Sequence, residues 1–324
     1  MQQVRWGILG CGNIARKFVA AVDAVDAATV TAAASRNEEK ARQFAKAWNI
    51  PLAFGSYEAL LQSGAVDAVY IATPHSAHFE LARQALLADV PVLCEKAFTA
   101  NAAQAKELFR IAQERRVFCM EAMWTRFLPV MQKMQQVIHQ GTIGKVRRIA
   151  AQYCFSGKFD PESRLWAPEL AGGALLDVGV YPLAVTAMVL GSKPERISAV
   201  CLKCETGVDE MTAMRLDYGE ATAYLSCGIS QRLPAMAVIE GTKGRIEIPR
   251  FYAAEHMKIF GEDGDCETVE MPLRKNGFEY EVEEVLCALR KGAWQSELLP
   301  LEESIRIMEI LDEVRRQIGV VYPF

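Results

Sequence analysis

Basic residues are not in excess in this sequence. Thirty-six Lys and Arg face 40 Asp and Glu, a net charge of −4, with the two signs interspersed. A nucleic-acid surface needs a basic face, so no nucleic-acid partner is expected, while small anionic ligands stay compatible. Long apolar runs are lacking too. None continues uninterrupted for the ~20 residues that a bilayer-crossing helix requires, and no membrane partner is expected. The opening "MQQVRWGILG" runs straight into a strand pattern without the basic-then-apolar layout of a signal peptide. Low-complexity linkers and solenoid-type repeats are also missing.

Metal-ligand spacing is scarce. The nine cysteines are scattered, most of them inside apolar runs such as "VLCEK", "YLSCGI" and "VLCALR". Buried, reduced thiols in a cytoplasmic protein are the simplest reading. One CxxC pair, Cys201 and Cys204, lies in a strand-like segment, where positions three apart face opposite sides. No second pair accompanies it, so no metal is expected.

What is present is apolar substance and order. The 324 residues are enough for two domains, and about half are apolar, so cores can form without disulfides or metals. Up to about residue 122, short apolar runs alternate with helical patterns: "VRWGILG", "NIARKFVAAVDA", "ATVTAAAS", "NEEKARQFAKAW", "AVDAVYIAT", "SAHFELARQALLAD", "VPVLCEK", "NAAQAKELFRIAQERR", "VFCMEAM". Strands without clean alternation, in βα order, predict an α/β domain with a doubly wound parallel sheet over 1–122. From 123 to 324 the pattern predicts an α+β domain. It contains a helix over "LPVMQKMQQVIHQG", a strongly apolar segment near 174–190, and a run of strands with tight turns such as "YGE" and "GTKG". Such strands predict a large, mostly antiparallel sheet, and two helical patterns close the chain.

"GILGCGNIA" places Gly10-x-Gly12-x-x-Ala15 after a strand and at the opening of a helix. Glycines allow a tight turn and close approach of a pyrophosphate, and the helix N-terminus offers free N–H groups. Gly10, Gly12, Asn13, Ile14 and Ala15 are therefore expected to bind a dinucleotide. NAD sites usually end the second strand with Asp or Glu. Here Ser35-Arg36 stands at that point, no carboxylate follows until Glu38, and Lys40 adds charge. Arginine and a serine hydroxyl suit a 2′-phosphate, so NADP(H) is favoured, with NAD(H) as the alternative.

Ligands of such sheets sit at the carboxyl ends of the strands. Three segments arrive there with polar residues: "IATPHSAH" with Thr73, Pro74, His75 and His78; "VLCEKAF" with Glu95 and Lys96; and "MEAMWTRF" with Glu121, Trp124 and Arg126. The first two groups are expected at the cofactor, and the third at the substrate. Arg126 and Arg164 fit either a substrate or an interface.

These motifs, together with "GGALLDVGVYP", occur in the order found in the glucose–fructose oxidoreductase/inositol dehydrogenase family. "EAMWTRF" and the terminal "VVYPF" resemble its dimeric dihydrodiol dehydrogenase branch, which includes bacterial NADP-dependent xylose dehydrogenases. The resemblance covers essentially the whole chain. It implies a Rossmann domain and an open-faced sheet through which the subunits form a homodimer or higher oligomer. It also implies that Lys96 matches the family's Glu-Lys-Pro lysine, Asp177 its second-domain aspartate, and Tyr181 the residue that is His or Tyr. Trp124 and Phe155 match aromatic positions lining the substrate pocket. Ala97 departs from the family's proline.

The chemistry agrees. A tyrosine with a pKa of about 10 is a poor base at neutral pH, and a lysine ammonium beside it favours the phenolate. Tyr181 is read as acid/base, Lys96 as its electrostatic partner, and Asp177 as the group orienting lysine or substrate. Glu121, Trp124 and Phe155 flank the substrate. Plainer roles stay open: Asp177 as a helix cap, Tyr181 as a half-buried tyrosine with a wet hydroxyl. Asp177 and Tyr181 share a face if their segment is helical. Pro182 disfavours helix at the residue before it, which leaves open a helix start as late as Gly179. The reading is an NADP(H)-dependent oxidoreductase acting on a CH–OH group of a vicinal diol, sugar or cyclitol. Its alternatives are a reductase of dicarbonyl or keto-sugar compounds and a non-catalytic NADP(H) sensor.

Overall fold

The structure, a computed structural model, describes residues 3–324. Met1 and Gln2, which begin the N-terminal stretch read above, lie outside the described residues. The chain divides into two compact units, Met1–Trp124 with Arg274–Ile305, and Thr125–Leu273 with Arg306–Phe324. The first unit thus adds 274–305 to the 1–122 expected for it.

In the first unit the order is β1 (Val4–Leu9), α1 (Asn13–Val22), β2 (Ala28–Ala34), α2 (Glu38–Ala47), β3 (Leu52–Phe54), α3 (Tyr57–Gln62), β4 (Ala68–Ile71), α4 (His75–Leu87), β5 (Val92–Glu95), α5 (Ala102–Arg115) and β6 (Cys119–Ala122). The six strands pair in parallel in the order β3-β2-β1-β4-β5-β6. Their order reverses between β1 and β4, the switch point at which such sheets bind ligands. Every residue of β4, β5 and β6 is buried, as parallel strands covered on both faces require. Side chains close several helix ends: Asn37 accepts from Lys40 N at 3.0 Å, and Asn101 from Gln104 N at 3.0 Å.

The second unit holds α6 (Pro129–His139), β7 (Val146–Ser156), α7 (Val180–Leu190) and seven further strands. These are β8 (Arg196–Lys203), β9 (Asp209–Asp217), β10 (Thr222–Gly228), β11 (Ser230–Gly241), β12 (Gly244–Pro249), β13 (His256–Gly261) and β14 (Cys266–Glu270). They form one sheet, β14-β13-β12-β11-β7-β10-β9-β8, antiparallel except for the parallel pair β10–β7. Strand β9 shows the two faces: Thr212, Met214 and Leu216 are buried, while Ala213 and Arg215 are exposed. Helix α7 is buried from Val180 to Met188 and apolar all round, as a core helix must be. The run Pro168–Leu190 is long and apolar enough, by length and composition, to cross a membrane, and 89% of its apolar 18-residue window is buried inside the protein.

Two helices close the chain, α8 (Glu279–Arg290) in the first unit and α9 (Leu301–Ile318), whose residues divide between both. Glu279 starts α8 by accepting from the amides of Lys275, Asn276 and Gly277 at 2.8 to 3.1 Å. Its neighbour Phe278 stacks on Trp124, centroids 4.8 Å apart, and Cys119 N donates to Trp294 O at 3.0 Å.

The helix does not wait for Gly179. A π turn over Leu175–Gly179 runs directly into α7, with Pro182 inside the run. Pro182 is the third residue of α7, in the first turn after the π segment, where a missing amide is tolerated best.

Candidate active site

The glycine turn has the geometry a dinucleotide needs. Gly10 has φ +105°, and a Cβ there would press against Ala72 O at 2.8 Å, so only glycine fits. A Cβ on Gly12 would meet only Ala72 O, at 3.8 Å, so its backbone is open to close approach. Helix α1 begins at Asn13 with no side chain capping it and no acid in its first turn. Its N–H groups are left for an anion. Beyond β2, Arg36 and Lys40 are exposed, and the Lys40 charge reaches the Cys11 thiol inside the glycine turn. The nearby Glu38 is engaged with Arg42 at 2.6 Å. Ser35 is buried, and its Oγ accepts from Asn37 N at 3.3 Å. These residues fit a dinucleotide with a 2′-phosphate.

At the carboxyl end of β5 the chain turns from core to site. Glu95 is buried, bonded to the Tyr70 hydroxyl and, at 3.2 Å, to Lys96 N. Lys96 follows, half-buried, with a cis peptide to Ala97. His78 and Glu121, expected at the cofactor and at the substrate, also hold this turn. His78 is fully buried, with Nδ1 2.9 Å from Ala97 O and Nε2 2.9 Å from Thr73 O. Burial holds its pKa below the ordinary value, against the raising effect of those two carbonyls. Glu121 is 2% exposed; one oxygen accepts from Phe98 N at 3.1 Å and the other from Ser304 Oγ at 2.6 Å. Both side chains therefore hold the loop that bears Lys96. His75, also buried, meets His78 edge-on and opens α4 behind Pro74.

In the second unit the π turn and α7 carry Asp177 and Tyr181. Asp177 is buried and accepts from Arg164 Nη1 at 2.8 Å, which gives Arg164 a definite partner. Tyr181 lies among rings: Tyr153 at 5.5 Å and Tyr252 at 5.9 Å, these two stacked on each other at 4.1 Å, with Phe155 at 6.3 Å from Tyr153. Tyr153 and Tyr252 were not foreseen. Tyr153 alternates with Phe155 on one face of β7, a spacing that could have pointed to it; Tyr252 sits in a short turn without any such signal. Burial, then the neighbouring Tyr252 and Tyr181, push the Tyr153 phenol well above the usual tyrosine range, so it is unsuited to accept a proton. Arg126 is buried in the turn Trp124–Phe127. Cys201 and Cys204 are free thiols; Cys204 Sγ lies 3.0 Å from Thr206 Oγ1.

A glycine cradle at the switch point of a parallel sheet, with a lysine at the next strand end, defines a nicotinamide-dinucleotide-dependent oxidoreductase. The comparisons narrow the class. Residues 4–123 match the model of the oxidoreductase family with an NAD-binding Rossmann fold, and residues 131–247 match the GFO/IDH/MocA C-terminal domain. A trans-1,2-dihydrobenzene-1,2-diol dehydrogenase of Mus musculus is 38% identical over 329 residues, covering 99% of this chain and 98% of its own. The Homo sapiens enzyme of that name is 37% identical over 330 residues, with the same coverage. A 3-ketoreductase from Actinomadura kijaniata, in complex with NADP and TDP-benzene, superposes with a TM-score of 0.89 at 28% identity, covering 98% of each chain. The chain belongs to the GFO/IDH/MocA oxidoreductase family.

Proposed function

We propose that this protein oxidises a CH–OH group of a vicinal diol, with a trans-dihydrodiol or a cyclic sugar as substrate, using NADP⁺, and runs the reverse reduction with NADPH. The ring face around Tyr181, made by Tyr153, Tyr252 and Phe155, is the observation that carries this reading. Apolar rings bury a carbocycle or the apolar face of a pyranose. The names of the relatives at 37–38% identity support the diol, and the arginine after β2 supports the phosphorylated cofactor.

Gly10, Gly12, Asn13, Ile14 and Ala15 would hold the pyrophosphate, and Arg36 with Lys40 the 2′-phosphate. Thr73, Pro74, His75 and Glu95 line the strand ends beside them. The bound nicotinamide supplies the hydride carrier. Tyr181 Oη takes the proton of the substrate hydroxyl in oxidation and returns it in reduction. The Lys96 ammonium favours the phenolate. Asp177, held by Arg164, orients the substrate hydroxyls, with Trp124, Arg126 and Phe155 as further contacts. His78 and Glu121 act through the loop that bears Lys96.

The 3-ketoreductase likeness favours a second reading, in which reduction of a keto sugar is the working direction. One absorbance assay separates the two: NADP⁺ with dihydrodiols and aldoses against NADPH with keto sugars and dicarbonyls. Tyr181→Phe should lower kcat by about a hundredfold or more at unchanged NADPH affinity. Equal loss of both would make Tyr181 a structural residue. The assembly proposed is a homodimer through the open face of the large sheet, and the free thiols support a reducing, cytoplasmic setting.

A further inference from the structure

The terminal "VVYPF" is not used by the chemistry above, yet it returns to the segment that carries Asp177 and Tyr181. Tyr322 is 7% exposed, and its hydroxyl donates to Gly172 O at 2.8 Å. Three residues later, Leu175 N donates to Asp209 Oδ2 at 2.8 Å, and Thr212 Oγ1 donates to the same oxygen at 2.7 Å. Between these anchors stands Gly173, φ +113°, where a side chain would collide with Asp209 Oδ1. Asp209 is fully buried. Arg315 of α9 lies over the Tyr322 ring at 4.8 Å, pairs with Asp312, and draws on the Asp209 charge. A buried carboxylate with one oxygen unpartnered is costly. A plain core could have used an apolar side chain here; this one accepts the first free amide of the π turn.

We propose that Tyr322 and Asp209 are positioning residues for the reaction, fixing the start of the helical run so that Asp177 and Tyr181 are held at the substrate. This rests on the roles given to Asp177 and Tyr181 above. Neither residue touches the reacting atoms. One fastens the carbonyl of Gly172 and the other the amide of Leu175, five and two residues ahead of Asp177 and on either side of a glycine that would otherwise leave the turn loose. The π turn depends on this: its wide register leaves amide groups that an ordinary helix start would distribute differently.

The test uses Tyr322→Phe, which removes one hydroxyl and keeps the ring, with Asp209→Ala and its conservative partner Asp209→Asn. Hydrogen exchange of the intact protein is read over residues 172–178 and over β9 and β10, and kcat, KM and the pH profile of kcat are measured with NADP⁺ and trans-1,2-dihydrobenzene-1,2-diol. Losing one buried hydrogen bond should speed exchange at 172–178 about tenfold while β9 and β10 keep their protection. The kcat should fall by about the same factor, with KM nearly constant and the pH profile of kcat displaced. Asp209→Asn, which keeps an acceptor for Leu175 N, should recover most of the loss caused by Asp209→Ala. Unchanged exchange at 172–178, or a pH profile that only scales without moving, would overturn the proposal. Tyr181→Phe run in parallel keeps the two ideas apart: wild-type turnover in that variant defeats the catalytic reading, whereas the exchange data still decide whether the anchors hold the turn.

Discussion

Glu121 shows how much a single buried carboxyl governs. Burial raises its pKa from the ordinary 4.5 to about 7, against the lowering effect of its bonds to Ser304 and Phe98 N. In the unfolded chain it ionises near 4.5, so between 4.5 and about 7 the folded protein holds a proton that the unfolded chain has released. Stability from this group is therefore full below 4.5 and is lost as pH rises to about 7, by about 3 kcal/mol in all. Asp209, also raised to about 7 by burial, adds a loss of the same sign. Glu121→Gln should flatten the fall in urea stability between pH 5 and 8 by its own share, leaving that of Asp209. An unchanged pH slope would mean that Glu121 is ionised at all these pH values. Arg36→Ala should weaken NADPH binding by about thirty- to a hundredfold and leave NADH binding alone; equal effects in a fluorescence titration would remove Arg36 from the 2′-phosphate. Residue chemistry of this kind is only half legible in a sequence. "CEKAF" and "MEAMWTRF" locate Lys96 and Glu121 correctly at strand ends, but nothing local says that Glu121 turns inward to Ser304, 183 residues away.

Among elements, the π turn over Leu175–Gly179 is held at its start from two sides, by Tyr322 and by Asp209. Gly173→Ala would put a side chain at φ +113° and against Asp209 Oδ1. It should cost about 2–3 kcal/mol in a urea titration, far more than the same change at Gly191, whose surroundings are open. A loss below 1 kcal/mol would show that the turn relaxes freely. The βα order of the first unit was readable because each strand and helix shows its own period over enough residues. The short β3 and α3 were not read, being three and six residues long, nor were β13 and β14. In β14 all residues but one are exposed, so no buried alternation marks it. Pro182 argued for a late helix start, whereas the structure runs a π turn over Leu175–Gly179 directly into the helix that contains it.

At the scale of the whole molecule, the large sheet shows water a face with apolar residues on it. Val200 and Leu202 are 70% and 60% exposed on β8, and Tyr224 lies on β10 with Arg148 and Arg215 over its ring. Exposed apolar groups on a broad sheet mark an interaction surface. For the homodimer proposed above, Val200→Glu with Leu202→Glu should leave the fold intact and lower the sedimentation coefficient from that of a dimer to that of a monomer; an unaltered coefficient would remove this face from the proposal. The discontinuous first unit has a different consequence, in time. Its sheet is complete once β6 has been made, yet Phe278, which covers Trp124, and Trp294, whose carbonyl takes the Cys119 amide, come after about 150 intervening residues. At roughly 5–20 residues per second that is about 8–30 seconds of synthesis. Through that interval the nascent sheet carries an uncovered aromatic and an unpaired edge amide outside the ribosome. The dinucleotide half therefore stays unfinished until nearly the whole chain has been made.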